Sequence, residues 1–157
     1  MNFHSPSKGE MELNEVIDDL LAYVNEDINQ TYKILVGSDS HPRPEGTCFV
    51  SAIIVHRLGK GARYYYHKFM HQNIKSLRQR IFFEASLSLS LAGQISEAFS
   101  QHGREDMQVE VHLDVGSRGE TRELIREVIG MIVNSGFEAK IKPDACAASK
   151  VADKYTK

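Results

Sequence analysis

Apolar residues near the start of the chain recur at intervals of three and four, which is the spacing of one face of an α-helix. Those residues are Leu13, Val16, Ile17, Leu20, Leu21 and Val24. The pattern predicts an amphipathic helix from Met11 to about Glu26, whose apolar face covers the core or, in the alternative, binds a partner. The preceding residues 1 to 9 are polar and contain Pro6 and Gly9, so we expect a loosely ordered tail there.

Three runs rich in β-forming residues follow this helix. The first, YKILVG, is apolar on both faces, which is typical of a central strand. It leads into GSDSHPRPEG, whose prolines, glycines and serines predict a loop. The next two runs, TCFVSAIIVHR and ARYYYHKFM, are joined by LGKG and predict a hairpin. We therefore expect the three strands to form an antiparallel meander.

The second half of the chain alternates helical and strand patterns. A long helix is predicted from about Ile74 to His102, and the alternating run QVEVHLD predicts a strand that ends at Asp114. The run TRELIREVIGMIVNSG predicts another helix, FEAKIK the last strand, and the residues after Pro143 a final short helix. A meander followed by β-α-β connections predicts a mixed α/β sheet with helices on its faces.

Composition and charge narrow the class of protein. The chain has 157 residues, 41% of them hydrophobic and 25% charged, which is typical of one globular domain. Its net charge of −2 indicates that any nucleic-acid contact depends on a local patch. Two distant cysteines, Cys48 and Cys146, favour a reducing cytoplasm over a disulfide framework. No apolar stretch approaches the length of a membrane span or a signal peptide, so we expect neither membrane insertion nor secretion.

Four acidic residues stand at positions that packing alone does not explain. Asp39 and Asp114 are predicted at the ends of two strands, where ligands collect in open α/β sheets. Glu84 shares the inward face of the long helix with Leu77 and Ile81. Asp153 lies on the final helix, where Asp144 already serves as the expected N-cap.

These four acids also have ordinary structural interpretations, as turn residues or solvated helix residues. If they converge, however, their like charges repel, and a divalent cation removes that conflict. Mg²⁺ and Mn²⁺ prefer carboxylate and water oxygens, and a pair of such ions can hold both the attacking water and the leaving oxygen of a phosphodiester.

The order of these acids along the chain resembles the ribonuclease H-like superfamily of nucleases, transposases and resolvases. More narrowly, the stretches ILVGSDSHPRPEG, SLRQRIFFEASLSL, VHLDVGSRGETRELIREVIGMI and AKIKPDACAASKVADKYTK are similar to the YkuK family of bacterial proteins related to ribonuclease H. The resemblance extends from about Tyr32 to Lys157. It implies a ribonuclease H-like fold with a five-stranded mixed sheet in the order 3-2-1-4-5, strand 2 antiparallel to the others, helices on both faces and an extra N-terminal helix.

The resemblance also implies a function. It suggests Asp39, Glu84, Asp114 and Asp153 as catalytic residues and ligands of two Mg²⁺ or Mn²⁺ ions that hydrolyse RNA, DNA or a hybrid. The alternative is a nucleic-acid-binding or scaffold protein that keeps the fold with little cleavage. We expect residues 1–30 to form a tail and helix and residues 31–157 to form the ribonuclease H-like part of a single globular domain.

Other side chains allow further hypotheses. A zinc or manganese site that includes His41 or His112 is conceivable, although surface or internally bonded histidines are the more ordinary interpretation, and His112 could instead brace Asp114. Tyr64 to Tyr66 could stack on bases or simply pack within the sheet. Basic residues at the start of the long helix and near the C-terminus could contact phosphates or form a solvated face. They are Lys75, Arg78, Arg80, Lys140, Lys142, Lys150, Lys154 and Lys157.

Overall fold

A single mixed β-sheet organises the chain. The computed structural model describes residues 1–114, 122–141 and 147–156, without the side chains at 147–150 and 153. In chain order the elements are β1 (Asn2–Ser5), β2 (Gly9–Glu12), α1 (Leu13–Glu26), β3 (Tyr32–Arg43), β4 (Gly46–Arg57), β5 (Gly61–His71), α2 (Leu77–Gln101), β6 (Val109–Leu113), α3 (Arg122–Asn134), β7 (Glu138–Lys140) and α4 (Ala147–Thr156).

The sheet has seven described strands in the order β2-β1-β5-β4-β3-β6-β7. The prediction of five strands is therefore wrong, and the order of the whole sheet differs from the predicted one because a hairpin extends the β5 edge. Strand β4 pairs antiparallel with both β3 and β5, which makes the expected meander. Strands β3, β6 and β7 are parallel to one another, because α2 and α3 return the chain between them.

The extending hairpin is formed by β1 and β2, within the segment that we expected to be a loose tail. Phe3 pairs with Met11 in this hairpin, and both side chains are buried in the main core. Gly9 adopts a φ of +75° at the start of β2, a conformation that glycine reaches without strain. The hairpin joins the sheet where His4 pairs with Tyr66 of β5. Burial of Phe3 thus explains why the N-terminal residues are ordered.

A second correction concerns the residues after YKILVG, which we expected to leave the sheet as a loop. Instead β3 continues to Arg43 and turns directly into β4 at Gly46. Among the described residues, pairing with β6 stops at Ser38, and the later part of β3 pairs with β4 alone. Proline is tolerated there because a strand edge does not need every backbone N–H, and this accounts for Pro42 within the strand.

Helices cover both faces of the sheet, as predicted. Helices α1, α2 and α3 pack on one face, where their apolar side chains join those of β3, β5 and β6 in the main core. Helix α4 packs on the other face, where Ala152 contacts the group Cys48, Val50 and Ala52 of β4. None of the described helices has the length and apolarity required to cross a bilayer.

Candidate functional site

Asp39 and Asp114 lie side by side on neighbouring parallel strands. The β3–β6 pairing ends with Ser38 opposite Leu113, and each of these two residues is followed directly by one of the aspartates. Adjacent strands are about 4.8 Å apart, so the two backbones are close where β6 ends. Asp114 follows its strand directly, as expected, whereas Asp39 lies inside the longer β3 and pairs with Val50 of β4. Both side chains are partly exposed.

These two aspartates face the side of the sheet that α4 covers. On β3, Ser38 and Ser40 contact α2, so the alternating residue Asp39 points to the opposite face. On β6, Val111 and Leu113 belong to the core under α1 to α3, which places Asp114 on the face of α4. The backbone of Asp153 lies in α4, and its side chain is outside the described residues. Asp144 also lies outside them.

Glu84 approaches the same end of the sheet from α2, on the other face. Its side chain is only 8% exposed and accepts a hydrogen bond from the Ser40 hydroxyl. The inward position predicted from helical spacing is confirmed for Glu84 and Ile81, but Leu77 is 48% exposed because it is the first residue of the helix. Glu84 is therefore buried in the first part of α2, where the helix contacts β3.

A line of serine hydroxyls fixes how α2 sits on β3. Ser38 hydrogen-bonds to Ser88 of α2 and to Ser51 of β4, each at 2.8 Å. Four helical residues span about 6 Å, and two strand residues span nearly the same length, so Glu84 and Ser88 match Ser40 and Ser38. Sequence reasoning missed this network, although its signal is present as serines two apart in the strand and polar residues four apart in the helix.

The environment of Glu84 favours its neutral form. Burial, assisted by the nearby carboxylates of Asp39 and Asp114, raises the pKa of Glu84 to about 8, against the opposing effects of the Ser40 hydroxyl and the Arg80 guanidinium. Desolvation is the largest of these effects. The three carboxylates, on β3, on α2 and directly after β6, are thus close enough to interact electrostatically.

This donor set matches a hard divalent cation in chemistry, because carboxylate oxygens are the ligands that Mg²⁺ and Mn²⁺ prefer. A cation beside Glu84 would also favour its ionised form. In the part of the chain that the structure describes, no three Asp, Glu, His or Cys side chains converge as a ready-made metal site. Asp39 and Asp114 approach from one face and Glu84 from the other, so coordination by all three requires their side chains to turn towards the end of β6.

The histidines do not form a separate site among the described residues. His112 is buried on the same face as Asp114, two residues before it, and its ring lies 3.7 Å from the Glu110 carboxylate. Burial lowers the pKa of His112, against the opposing effect of Glu110. His41 is exposed two residues after Asp39. The carboxylate that the structure places beside the His112 ring is thus that of Glu110, and the proposed bracing of Asp114 stays a prediction.

Several of the basic and aromatic candidates have partners within the fold. Arg78 pairs with Glu127 of α3 at 2.9 Å, and Lys140 with Glu138 at 2.8 Å. Tyr65 is fully buried and donates a hydrogen bond to Asp19. Tyr64 and Tyr66 contact Tyr155 of α4, the latter with ring centroids 3.7 Å apart. Lys142 and Lys157, together with the side chain of Lys150, lie outside the described residues.

The remaining basic candidates at the start of α2 are Lys75 and Arg80, and Arg80 lies close enough to Glu84 to oppose the rise in its pKa. Lys75 and Arg80 line a cleft of about 220 Å³ at the start of α2, together with Thr47 and Ser76. The Nε atom of Arg80 is buried without a hydrogen-bond partner among the described residues. The start of α2 therefore places positive charge beside the buried carboxyl of Glu84.

Comparison with known proteins agrees with this architecture. A sequence profile described as ribonuclease H-like matches residues 15–157. The chain is also 35% identical to the Bacillus subtilis (strain 168) protein that bears the name uncharacterized protein YkuK, over 99% of this chain and 96% of that protein. No solved structure gives a match. The matched profile, together with a relative of this identity and coverage, shows that the chain belongs to the ribonuclease H-like family, alongside YkuK.

Proposed function

We propose that this chain hydrolyses phosphodiester bonds in nucleic acid with the help of divalent cations. The observation that carries the proposal is that three carboxylates, Asp39 of β3, Glu84 of α2 and Asp114 directly after β6, lie close enough at one end of the sheet to interact electrostatically. A purely structural role does not account for a buried glutamate placed near two further acids, because like charges and burial both disfavour its ionised form. Membership of the ribonuclease H-like family supports the same function.

In this proposal Asp39 and Asp114 hold Mg²⁺ or Mn²⁺, and Glu84 and Asp153 complete two ion sites. Bound ions would orient the attacking water and stabilise the charge on the leaving oxygen of the phosphodiester. Ser40 holds the Glu84 carboxyl in place through its hydrogen bond. The serine network around Ser38 fixes the height of α2 above the sheet, and it thereby fixes the distance of Glu84 from the two strands.

The alternative function is binding of nucleic acid with little or no cleavage. One observation favours it: with a pKa of about 8, Glu84 is mostly protonated at neutral pH unless a cation is present. A site that binds cations weakly would then remain partly neutral and catalytically slow. Cation affinity therefore separates the two functions.

The test is cleavage of single-stranded, duplex and hybrid RNA and DNA by the purified full chain, with Mg²⁺ and with Mn²⁺. We expect Asp39→Asn and Asp114→Asn each to reduce cleavage by at least about 100-fold, because each removes a proposed ligand. Without metal, neither variant should melt below the wild type, since each substitution removes one of several like charges. Asp18→Asn is the matched control, because Asp18 is an exposed aspartate on α1.

The outcomes separate the functions clearly. Equal cleavage by the wild type and both variants would show that these aspartates are not catalytic. A wild type that binds the oligonucleotides but cleaves none of them with either metal would establish the binding function instead. If Asp18→Asn also lost activity, the loss in the other two variants would reflect the change in net charge of the protein and not the removal of a ligand.

A further inference from the structure

A second candidate binding surface lies beside α3. A cleft of about 330 Å³ is lined there by Arg122, Ile125, Arg126 and Ile129 of α3 and by Ile141, which follows β7. The lining thus combines two cations with three branched apolar side chains. None of these five residues belongs to the acidic site described above.

The cleft is at the same end of the sheet as the acids. His112 of β6 pairs with Lys140 of β7, so Ile141 is level with Leu113, the residue before Asp114. Two strand spacings of about 4.8 Å separate β7 from β3, which carries Asp39. Helix α3 and Ile141 lie on the face of the sheet opposite Asp39 and Asp114, so an extended polymer held at the acids would reach this cleft by passing over the carboxyl end of β6.

Neither of the two arginines stabilises α3 through an ion pair among the described residues. Arg122 and Arg126 are one helical turn apart, both are exposed, and neither has an ion pair with an acid among the described residues. In contrast, the neighbouring Glu127 is paired with Arg78 of α2. These two guanidinium groups are positioned to bind an anion.

The isoleucines specify what kind of anion matches the cleft. Ile125 is 2% exposed and forms the floor, while Ile129 and Ile141 are partly exposed at its sides. Guanidinium groups bind phosphate oxygens through paired hydrogen bonds, and an apolar wall packs against a sugar or base. A nucleotide unit of a polynucleotide presents both chemistries at adjacent positions.

We infer that the cleft at α3 binds the strand of a nucleic-acid substrate, with phosphate on Arg122 and Arg126 and a sugar or base against the isoleucines. The inference rests on the proposed function, because it identifies where a strand leaves the acidic site. A strand bound at both places is held across β6, which fixes the position of the scissile phosphate relative to Asp39 and Asp114.

The experiment measures binding of a fluorescein-labelled single-stranded 12-mer to the full chain by anisotropy in EDTA. Arg122→Gln/Arg126→Gln should bind about tenfold more weakly than the wild type, and its plot of log K against log salt from about 50 to about 200 mM NaCl should be shallower by about 1.4. The control Lys33→Gln/Lys60→Gln removes the same charge from exposed residues at the opposite end of the sheet. It should keep the wild-type slope.

A second arm tests the apolar side of the cleft. An abasic oligonucleotide of equal length should bind more weakly than the normal one, and this penalty should shrink in Ile129→Thr, which retains a β-branched side chain. Urea denaturation confirms that each variant is folded before its affinity is compared. A penalty that is unchanged in Ile129→Thr would contradict contact between the base or sugar and the isoleucines.

The remaining outcomes are also decisive. If the wild type binds and cleaves, and the double arginine variant keeps the wild-type affinity and salt slope, the inference fails and the proposed function stands. If the wild type neither binds nor cleaves, both fail. Tighter arginine-dependent binding of an acidic peptide than of the oligonucleotide would assign the cleft to a protein partner and overturn the inference.

Discussion

Replacing Glu84 by glutamine should make the stability of the protein less sensitive to pH between the ordinary pKa of glutamate, 4.5, and the raised value of about 8. Glutamine has nearly the same shape as glutamic acid and can still accept the hydrogen bond from Ser40, but it cannot ionise. The substitution thus removes the cost of a buried charge without leaving a cavity. Its effect depends on whether the wild-type side chain is neutral or ionised at the pH of the measurement.

The sign follows from proton linkage. Burial raises the pKa of Glu84 from its ordinary 4.5 to about 8, so between these values the folded state keeps a proton that the unfolded state releases. Stability contributed by the neutral carboxyl is therefore fully present below about pH 4.5 and decreases as pH rises towards 8. Over two pH units in this interval, the wild type should lose roughly 2.7 kcal/mol relative to Glu84→Gln.

Urea denaturation at a series of pH values between about 5.5 and 7.5 measures this difference directly. Other titrating groups contribute equally to both proteins, so the difference between them isolates Glu84. Glu97→Gln is the matched control, because Glu97 is exposed on the same helix. A wild type and Glu84→Gln whose unfolding free energies change in parallel with pH would refute the reasoning, since Glu84 would then titrate alike in the folded and unfolded states.

Three further predictions concern the hairpin, a buried ion pair and cations. Phe3→Ala should destabilise the protein by about 3 kcal/mol in urea denaturation, because Phe3 is fully buried; an effect below about 1 kcal/mol would mean that the hairpin is not part of the core. Asp19→Asn should be less stable than the wild type at neutral pH, because the fold stabilises the ionised form of Asp19. Burial alone would raise the pKa of Asp19, but hydrogen bonds and ion pairs from Tyr65, Lys8 and Arg63 hold it below its ordinary 3.8. That advantage of the wild type should disappear as pH falls below about 3.8, and a constant difference down to pH 2 would contradict it. Millimolar Mn²⁺ should raise the melting temperature of the wild type more than that of Glu84→Gln, and equal shifts would argue against Glu84 as a ligand.

The inward position of Glu84 was predictable because helical periodicity is a strong signal over a long helix. Ile81 and Glu84 share one face, and both are buried. The meeting of Asp39 with Asp114 was predictable only from the rule that ligands collect at strand ends and from the family resemblance. Nothing local in the sequence sets the register that places Ser38 opposite Leu113, because that register depends on the packing of the whole sheet.

The two errors have related physical causes. The segment after Gly37 has the composition of a loop, yet it remains in β3 because the adjacent β4 supplies hydrogen bonds along its full length. The N-terminal hairpin has strands of only four residues, too short for a clear alternation. Tertiary contacts, such as the burial of Phe3, decide both cases, and they are not visible in a local pattern.

The pairing of β3 with β6 has a consequence for how the protein folds. Strands β3, β4 and β5 are joined by short turns, whereas Ile34 of β3 pairs with Val109 of β6, nearly half the chain away. Loop-closure entropy delays such distant pairing, so we expect the meander to form early and β6 to join it late. Asp39 would then acquire Asp114 as its neighbour only near the end of folding. A newly synthesised chain would thus carry no assembled acid pair until most of its sheet is in place.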